Sequence, residues 1–394
     1  MGKRLKGLFL THDIYLNAPI PGGVQICSQE FFDLVAECGI DLKIYSVGFT
    51  RGLVERARIR MGLDCYNMFN VKHERVRLIQ YIRSNAIDIV FLNMAGMLRF
   101  AKMIKESFAG GPQVILFSHG NNSVDLLHRT TKPLERYAFF KRIRDMVRLG
   151  VLIHFESRCR MKYLDGVITV SETEEQIEKW LGAQKVIFLP RVLKSDFVEH
   201  EPDLNRIGFV GRLDHPPNYQ GLVLFLEELK TLERGALKVR LVGAPAKWGR
   251  NVQRNYSFVE YLGELSDSDL RREVQTWSFF LNPIFWYSAG CSFKLGKAIG
   301  WGLPVVTTLP GLRGYQWNEG SLLVADDPRD MALKVLREVK SLENVHFWAS
   351  QTKRIAQSGI SKQELAKRIR MMIVDSKESS IPFVDNLTFI SALH

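Results

Sequence analysis

The sequence predicts an α/β protein with two domains, each built on a parallel sheet that is covered by helices on both faces. Short apolar runs alternate with longer amphipathic stretches along the whole chain. The apolar runs are rich in valine, isoleucine, leucine and phenylalanine and show little polar alternation, which is typical of strands buried on both faces. At 394 residues the chain is too long for one ordinary core and suits two domains.

The first half of the chain contains six apolar runs that are expected to form strands: Leu5–Thr11, Asp41–Val47, Asp88–Asn93, Gln113–His119, Gly166–Ser171 and Lys185–Pro190. Helical periodicity between these runs predicts helices at Val24–Cys38, Met97–Phe108, Leu134–Val147 and Glu172–Leu181. Repetition of strand, helix and strand implies a parallel sheet with helices on both faces.

The second half repeats the pattern, with strands expected at Arg206–Gly211, Lys238–Gly243, Ser257–Gly263, Phe279–Ile284, Pro304–Thr308 and Ser321–Ala325. Helices are expected at Asn218–Leu229, Asp267–Trp277, Cys291–Gly302 and Asp330–Leu342, with two more between 344 and 375.

A linker is predicted at Arg191–Asn205, because that segment is polar, contains Pro202 and has no clear period. We therefore expect two Rossmann-like domains, residues 1–195 and 196–394, which face each other across a cleft. The last helices can pack back on the first domain. Ligands of such sheets bind at the carboxyl ends of the strands, so the loops that leave those ends are the place to look for a site.

The net charge of +12 is concentrated in the first half of the chain. Residues 1–195 contain 29 Lys+Arg and 19 Asp+Glu (29 − 19 = +10), whereas residues 196–394 contain 25 and 23 (25 − 23 = +2). A basic half suggests an anionic partner such as a membrane surface, a nucleic acid or a phosphorylated acceptor, although such an excess can also serve solubility alone.

The five cysteines are scattered and show neither a CxxC pair nor metal-like spacing with histidine, which predicts free thiols in a reducing compartment and no metal site. The longest uncharged run, Ser278–Phe293, is broken by Asn282 and Pro283 and is too short to span a membrane. Any membrane contact should therefore be peripheral.

Two candidate site elements lie in the first half. Gly22 and Gly23 directly precede a predicted helix, where paired glycines let backbone N–H groups approach a phosphate. A tight turn between strand and helix explains the same residues. His119 ends a predicted strand and faces the expected cleft, where it can bond a sugar hydroxyl, although a packed histidine is the alternative.

A third candidate site element is the segment from Arg212 to Asn218. Arg212 leaves the end of a predicted strand, and Asn218 is the expected N-cap of the following helix. An arginine can form two parallel hydrogen bonds to a pyrophosphate that is bound at the start of that helix. The alternative is a surface arginine that pairs with Asp214.

A fourth element is the small-residue turn Ser288–Ser292, which includes Gly290, Cys291 and Ser292 and leads into a predicted helix. Such a turn at a helix N-terminus can cradle an anion. Lys294 and Lys297 follow on one face of that helix, where cations oppose the helix dipole, so an anionic ligand would offset the cost. Both lysines can instead extend to solvent.

At these residues the chain resembles the retaining, nucleotide-sugar-dependent glycosyltransferases of family four, which have the GT-B architecture. The resemblance covers most of the chain and is strongest in "VITVSE" (Val167–Glu172), "FVGRLDHPPN" (Phe209–Asn218) and "SAGCSFKLGKAIGWGLPVVTT" (Ser288–Thr308). It implies a sugar transfer from a nucleotide-diphosphate sugar with retention. It also implies donor contacts from Gly22, Gly23 and His119, and no metal or other cofactor where arginine, lysine and helix dipoles hold the diphosphate.

Two positions depart from the family's pattern. The lysine that usually follows Arg212 is replaced by Pro217-Asn218, as in one branch of the family, and Lys297 stands where the family has a ribose-binding glutamate. An ammonium can donate to hydroxyls but cannot accept from them. Either Lys294 and Arg212 restore the diphosphate charge, with Lys297 adding to it or reaching a carboxylated sugar, or the donor site is degenerate.

The acceptor is expected to be a glycan or a lipid-linked molecule, in polysaccharide or surface-glycan assembly. The segment Arg129–Lys162 has ten basic and three acidic residues and an apolar stripe, expected to be core, formed by Leu134, Tyr137, Phe140, Ile143, Val147 and Leu149. Its basic face can dock on an anionic membrane, so the expected location is cytoplasmic, on the inner face of the membrane. A degenerate partner subunit and, less favoured, a nucleic-acid-binding GT-B protein are the alternatives.

Overall fold

A computed structural model describes residues 4–16, 23–61, 64, 66–131, 139–286 and 289–378. Six strands form the first sheet: Lys6–Thr11 (β1), Asp41–Ser46 (β2), Ile89–Asn93 (β3), Gln113–Ser118 (β4), Gly166–Thr169 (β5) and Val186–Phe188 (β6). Their order is β2-β1-β3-β4-β5-β6, and neighbouring strands are parallel. The chain first builds outward from β1 to β2 and then continues on the other side of β1, so the order reverses between β1 and β3.

The second sheet also has six strands: Asp203–Val210 (β7), Lys238–Val242 (β8), Val259–Gly263 (β9), Trp277–Leu281 (β10), Val305–Thr308 (β11) and Leu323–Ala325 (β12). Their order is β12-β11-β10-β7-β8-β9, again with parallel neighbours. Here the order reverses between β7 and β10. The predicted boundary at residues 195 and 196 falls between the last strand of the first sheet and the first strand of the second.

The helices are α1 (Gly23–Glu37), α2 (Leu53–Met61), α3 (Val71–Asn85), α4 (Leu98–Ser107), α5 (Asn122–Thr131), α6 (Phe139–Tyr163), α7 (Glu172–Trp180), α8 (Pro216–Thr231), α9 (Ala246–Asn255), α10 (Asp267–Gln275), α11 (Phe293–Trp301), α12 (Leu309–Leu312), α13 (Pro328–Glu338), α14 (Leu342–Gln357) and α15 (Lys362–Glu378). Short 3₁₀ helices lie at Asp13–Tyr15 and Ala95–Met97. None of the helices in the described ranges is both long and apolar enough to cross a membrane.

The two-domain α/β fold predicted from the sequence is confirmed, since each predicted strand overlaps one of these twelve. The helices α2, α3, α5, α9 and α12 have no predicted counterpart. Polar residues fill most positions of α3, α5 and α9, α2 buries no residue, and α12 is a single turn of four residues. The helix predicted at Leu134–Val147 is observed as α6, which continues to Tyr163. The start of that prediction falls in 132–138, outside the described residues.

The helix α15 returns to the first domain and packs against α1. Leu365 and Ile369 join a buried cluster that includes Phe31 of α1 and Phe91 of β3. The guanidinium of Arg370 donates to the carbonyl of Glu37 at 2.8 Å. The last described helix therefore ties the second domain to the first.

Close helix packing at Gly221 gives a stability prediction. A Cβ added there would lie 1.7 Å from the carbonyl oxygen of Pro283, so Gly221→Ala is expected to lower the free energy of unfolding by about 1–3 kcal/mol. Gly150 in α6 has open space around it, and Gly150→Ala should instead raise that free energy by about 0.5–1 kcal/mol through helix propensity. Urea denaturation of both variants checks the contrast, and equal effects would show that α8 shifts to make room.

Candidate active site

A cavity of about 610 Å³ lies between the two domains, at the carboxyl ends of both sheets. Its first-domain lining comes from the start of α1, from His119 after β4 and from Val170 after β5. The second domain contributes the loop after β7, the first turn of α8, the residues before α11 and Arg313. These loops lie near the points where each strand order reverses, which is where doubly wound sheets leave a crevice for ligands.

His119 is held by a buried asparagine. The side chain of Asn93 donates to Thr11 Oγ1 at 2.8 Å and to Ser28 Oγ at 2.9 Å, so its Oδ1 is the acceptor that meets His119 Nε2 at 2.9 Å. The proton of the imidazole is therefore on Nε2. Burial lowers the pKa of His119 to about 4, so the ring is neutral at physiological pH and its Nδ1 can only accept.

The loop after β7 positions Arg212 beside the cavity. The guanidinium makes a bidentate pair with Asp214, through Nε at 2.9 Å and Nη2 at 2.6 Å, which is the alternative that the sequence had left open. Both side chains line the cavity, and the arginine is largely exposed. An exposed pair contributes little to stability, so an anionic ligand can compete with Asp214 for Arg212.

Asn218 does not cap α8, contrary to the prediction. The helix begins at Pro216 and its N-cap is His215, because two prolines suit the first turn, where a missing N–H costs nothing. Asn218 instead bridges two elements. Its Nδ2 donates to the carbonyl of Arg212 at 3.0 Å, and its Oδ1 accepts from Lys294 Nζ.

Lys294 is partly buried in the first turn of α11, close to the loop of Arg212. Its ammonium lies 4.7 Å from the centre of the Phe209 ring, in addition to its bond with Asn218. Burial, reinforced by the charge of Arg313, lowers the pKa of Lys294 to about 7. A ligand anion at this place would restore the preference for the charged ammonium.

The loop before α11 is clamped from within the second domain. Ser292 is the N-cap residue, and its hydroxyl donates to Asn282 Oδ1 at 3.2 Å. Gly290 has a φ of 73°, which favours glycine, and its carbonyl accepts from Arg313 Nε at 2.9 Å. Within the predicted turn Ser288–Ser292, residue 288 lies outside the described residues.

Gly290 also connects the two domains. Its N–H, predicted as part of an anion cradle, donates to the Glu174 carboxylate of α7 at 2.7 Å. The thiols of Cys27 and Cys291 form a second link, a hydrogen bond that lowers the pKa of Cys291. The cradle thus already holds a carboxylate, and a ligand must displace Glu174 or use neighbouring donors.

The predicted glycine pair is described at one of its two positions, since Gly22 lies outside the described residues. Gly23 is the first residue of α1, and a Cβ added there would lie 2.9 Å from the ring of Phe293. A close approach between the domains is therefore reason enough for a glycine at this cavity-lining position.

Lys297 is absent from the described lining of this cavity. It is exposed, pairs with Asp267 at the start of α10 and lies 4.9 Å from the ring centre of Trp301. It lines a neighbouring cavity of about 380 Å³, which Lys294 and Arg191 also line. The two lysines therefore share a helix but not the same partners.

Sequence reasoning missed three residues near the cavity. Arg313 is buried after α12 and adds a third cation, Glu174 bonds to Gly290, and His215 lines the wall beside Arg212. Burial, together with the charges of Lys294 and Arg313, lowers the pKa of His215 to about 4. An arginine shortly after a predicted strand end, in "TTLPGLRG", was the available signal for Arg313.

Two adjacent acids, Asp326 and Asp327 of "VADDP", lie between β12 and α13. Asp327 is the N-cap of α13, and its Oδ1 accepts from the Asp330 N–H at 2.8 Å, which is the usual role of an aspartate at this position. In the parts of the chain that the structure describes, no three His, Cys, Asp or Glu residues are grouped so that they could hold a metal ion.

Residues 205–341 match the model of a family described as "Glycosyl transferases group 1". No curated protein matches the chain in sequence. Sucrose-phosphate synthase from Thermosynechococcus elongatus has a similar structure, with a TM-score of 0.66 and 14% identity over 96% of this chain and all of that one.

Two other similar structures are a complex with UDP-glucose and a galactosyltransferase. HepE from Anabaena, in complex with UDP-glucose, has a TM-score of 0.61 and 12% identity over 94% of this chain and all of that one. The lipopolysaccharide outer core galactosyltransferase WaaB has a TM-score of 0.58 and 15% identity over 94% of this chain and 99% of that one. The fold and the matched domain together support a GT-B glycosyltransferase.

Proposed function

We propose that this protein is a retaining glycosyltransferase of family four, which transfers a hexosyl group from a nucleotide-diphosphate sugar to a glycan or lipid-linked acceptor. The observation that carries the proposal is the convergence of Arg212, Lys294 and Arg313 with the first turns of α8 and α11. Among the described lining residues, one carboxylate, Asp214, opposes these three cations. Such an arrangement stabilises the negative charge of a departing diphosphate.

The proposed reaction needs no metal, because cations and helix dipoles are already present where the diphosphate would rest. Neutral His119 would accept a hydrogen bond from a sugar hydroxyl through Nδ1, and Glu174 would give up the Gly290 N–H to the donor. The acceptor would enter from the first domain. We propose a cytoplasmic enzyme of polysaccharide or surface-glycan assembly, working at the inner face of the membrane.

A thermal-shift panel of UDP-, GDP-, ADP-, CMP- and TDP-linked ligands tests donor binding. HepE binds UDP and UDP-glucose, so we expect the melting temperature to rise with the uridine ligands. If ligands with another base raise the melting temperature instead, the donor carries that base and not uracil. If no ligand of the panel raises the melting temperature, donor binding is contradicted and a degenerate partner subunit is favoured. Lys297, in place of the family's glutamate, is a second reason to consider such a subunit.

A further inference from the structure

The helix α6 has an apolar face that points away from the protein. Phe140 is 84% exposed and Val147 is 65% exposed. Further exposed apolar side chains belong to Phe139, Ile143, Met146 and Val151. Spacings of three, four and seven residues place all six on one side of the helix. Phe140, Ile143 and Val147 are therefore not core residues, and the prediction from the sequence is wrong for these three.

The opposite side of α6 packs against the rest of the first domain. Asp145, Leu152, Glu156, Cys159 and Arg160 are buried on that side, where α6 packs against α4 and α5. The domain core therefore uses this inner side of α6, where Leu152 and Cys159 join the buried apolar cluster, and does not use the outer stripe. Six apolar residues on the outer stripe have no role in packing the domain, and an exposed patch of this kind marks an interaction site.

The charges beside the outer stripe are positive. Arg142 and Arg144 border the outer stripe, Lys141 and Arg148 lie further round the same half of the helix, and the one acid between residues 139 and 152 is Asp145. Asp145 is buried and bonds to Arg144 at 3.0 Å. An apolar stripe flanked by bases, with no exposed acid in this half of α6, matches the chemistry of an anionic lipid surface.

We propose that the outer face of α6 docks on an anionic bilayer, with the helix in the plane of the interface. The apolar side chains enter the boundary between headgroups and acyl chains, and the bases meet lipid phosphates. A second copy of the chain fits less well, since a two-fold contact through this face would bring the same bases against each other. This docking refines the membrane contact of the proposed function.

The docking face is connected to the cavity by the same helix. In the second half of α6, Arg160 Nη2 donates to Asn121 Oδ1 at 2.6 Å, and Asn121 lies two residues after His119. Glu156 accepts from the Ser123 N–H at 3.1 Å. A bilayer held by α6 therefore lies at a fixed position relative to the acceptor side of the cleft.

Co-sedimentation with vesicles tests the docking without any donor or acceptor. The wild type is expected to bind vesicles of equimolar phosphatidylcholine and phosphatidylglycerol, and to bind phosphatidylcholine alone far less. The variant Phe140→Ser/Val147→Ser should lose about tenfold or more in affinity. The variant Arg142→Gln/Arg148→Gln should lose about fivefold per arginine on the anionic vesicles.

The matched control is Leu333→Ser/Phe347→Ser, which removes two exposed apolar side chains from α13 and α14 and should leave binding unchanged. Circular dichroism establishes that every variant is folded. Equal binding to neutral vesicles, or full binding by Phe140→Ser/Val147→Ser, would overturn the proposal. The proposal would also be overturned if the wild type formed a dimer and did not bind vesicles, and if that dimer dissociated in Phe140→Ser/Val147→Ser. Because no donor is used, none of these results bears on glycosyl transfer.

Discussion

Replacing Lys294 with methionine is expected to lower the rate constant of glycosyl transfer by about a hundredfold to a thousandfold, the usual effect of losing one preorganised charge-stabilising group. Methionine keeps the length of the side chain against Phe209, so the packing of α11 should survive. What is lost is the ammonium beside Arg212 and Asn218, where the diphosphate would develop its charge. Steady-state kinetics with the nucleotide sugar found in the thermal-shift panel measures the loss.

The pKa of Lys294 gives this prediction a pH dependence. With a pKa of about 7 in the free enzyme, the ammonium is charged below pH 7 and progressively neutral above it. The affinity for the nucleotide sugar should therefore fall as the pH rises above about 7, by up to tenfold per pH unit. His119 and His215 both titrate near pH 4 and stay neutral throughout this range. The dependence should disappear in Lys294→Met.

The matched control is Lys230→Met, which removes an ammonium 5.9 Å from the ring of Tyr256, outside the cavity. Its kinetics should match those of the wild type. Arg212→Gln should weaken donor binding in the same direction as Lys294→Met, since both cations serve the same diphosphate. Unchanged donor affinity in both Lys294→Met and Arg212→Gln would refute the hypothesis that Lys294 and Arg212 supply the charge of the lysine that usually follows Arg212 in the family.

Replacing Arg160 with methionine is expected to lower the free energy of unfolding by about 3–5 kcal/mol, the usual result of removing one partner from a buried ion pair. Arg160 and Glu178 are both fully buried and are 2.7 Å apart, from Nε to Oε2. Glu156 is buried on the same helix as Arg160. Without the guanidinium, two carboxylates stay buried with no cation between them.

The same variant should show an altered pH profile. Burial alone raises the pKa of Glu178. The charge and hydrogen bonds of Arg160, together with hydrogen bonds from Asn121 and Ser118, more than offset burial, so the pKa is lowered in the wild type. A lowered pKa stabilises the fold above the unfolded value, and this contribution is lost as the pH falls through the folded value. In Arg160→Met, burial dominates and the pKa rises. The stability gap between wild type and variant should then be smaller near pH 5 than near pH 7.

Lys179→Met provides the control for Arg160→Met. Lys179 pairs with Glu175 four residues earlier on α7, at an exposed position, and its loss should cost about 0.5 kcal/mol or less. Urea denaturation at both pH values, followed by tryptophan fluorescence, measures all three proteins. A loss in Arg160→Met as small as in Lys179→Met would mean that water reaches the two glutamates.

The fold was predictable because each buried strand is visible in a short, continuous stretch of sequence. Runs such as Ile89–Asn93 are buried along their whole length, so the apolar residues that the core requires are contiguous in sequence. The start of α8 was less predictable, since both the Pro216-Pro217 pair and Asn218 can open a helix and the prolines prevail. The outer face of α6 could not be predicted, because an apolar stripe shows that a surface is apolar but not what covers it.

By itself, the amino-acid sequence determined the two α/β domains and the strand ends at which His119, Arg212 and the loop before α11 lie. The tertiary structure decided which of these groups meet. Lys294 contacts Asn218 across 76 residues of chain, whereas Lys297, three residues later, contacts Asp267. The Gly290 N–H bonds to Glu174 across 116 residues. Periodicity reports the direction of a side chain on its own helix, but its partner depends on how distant elements pack.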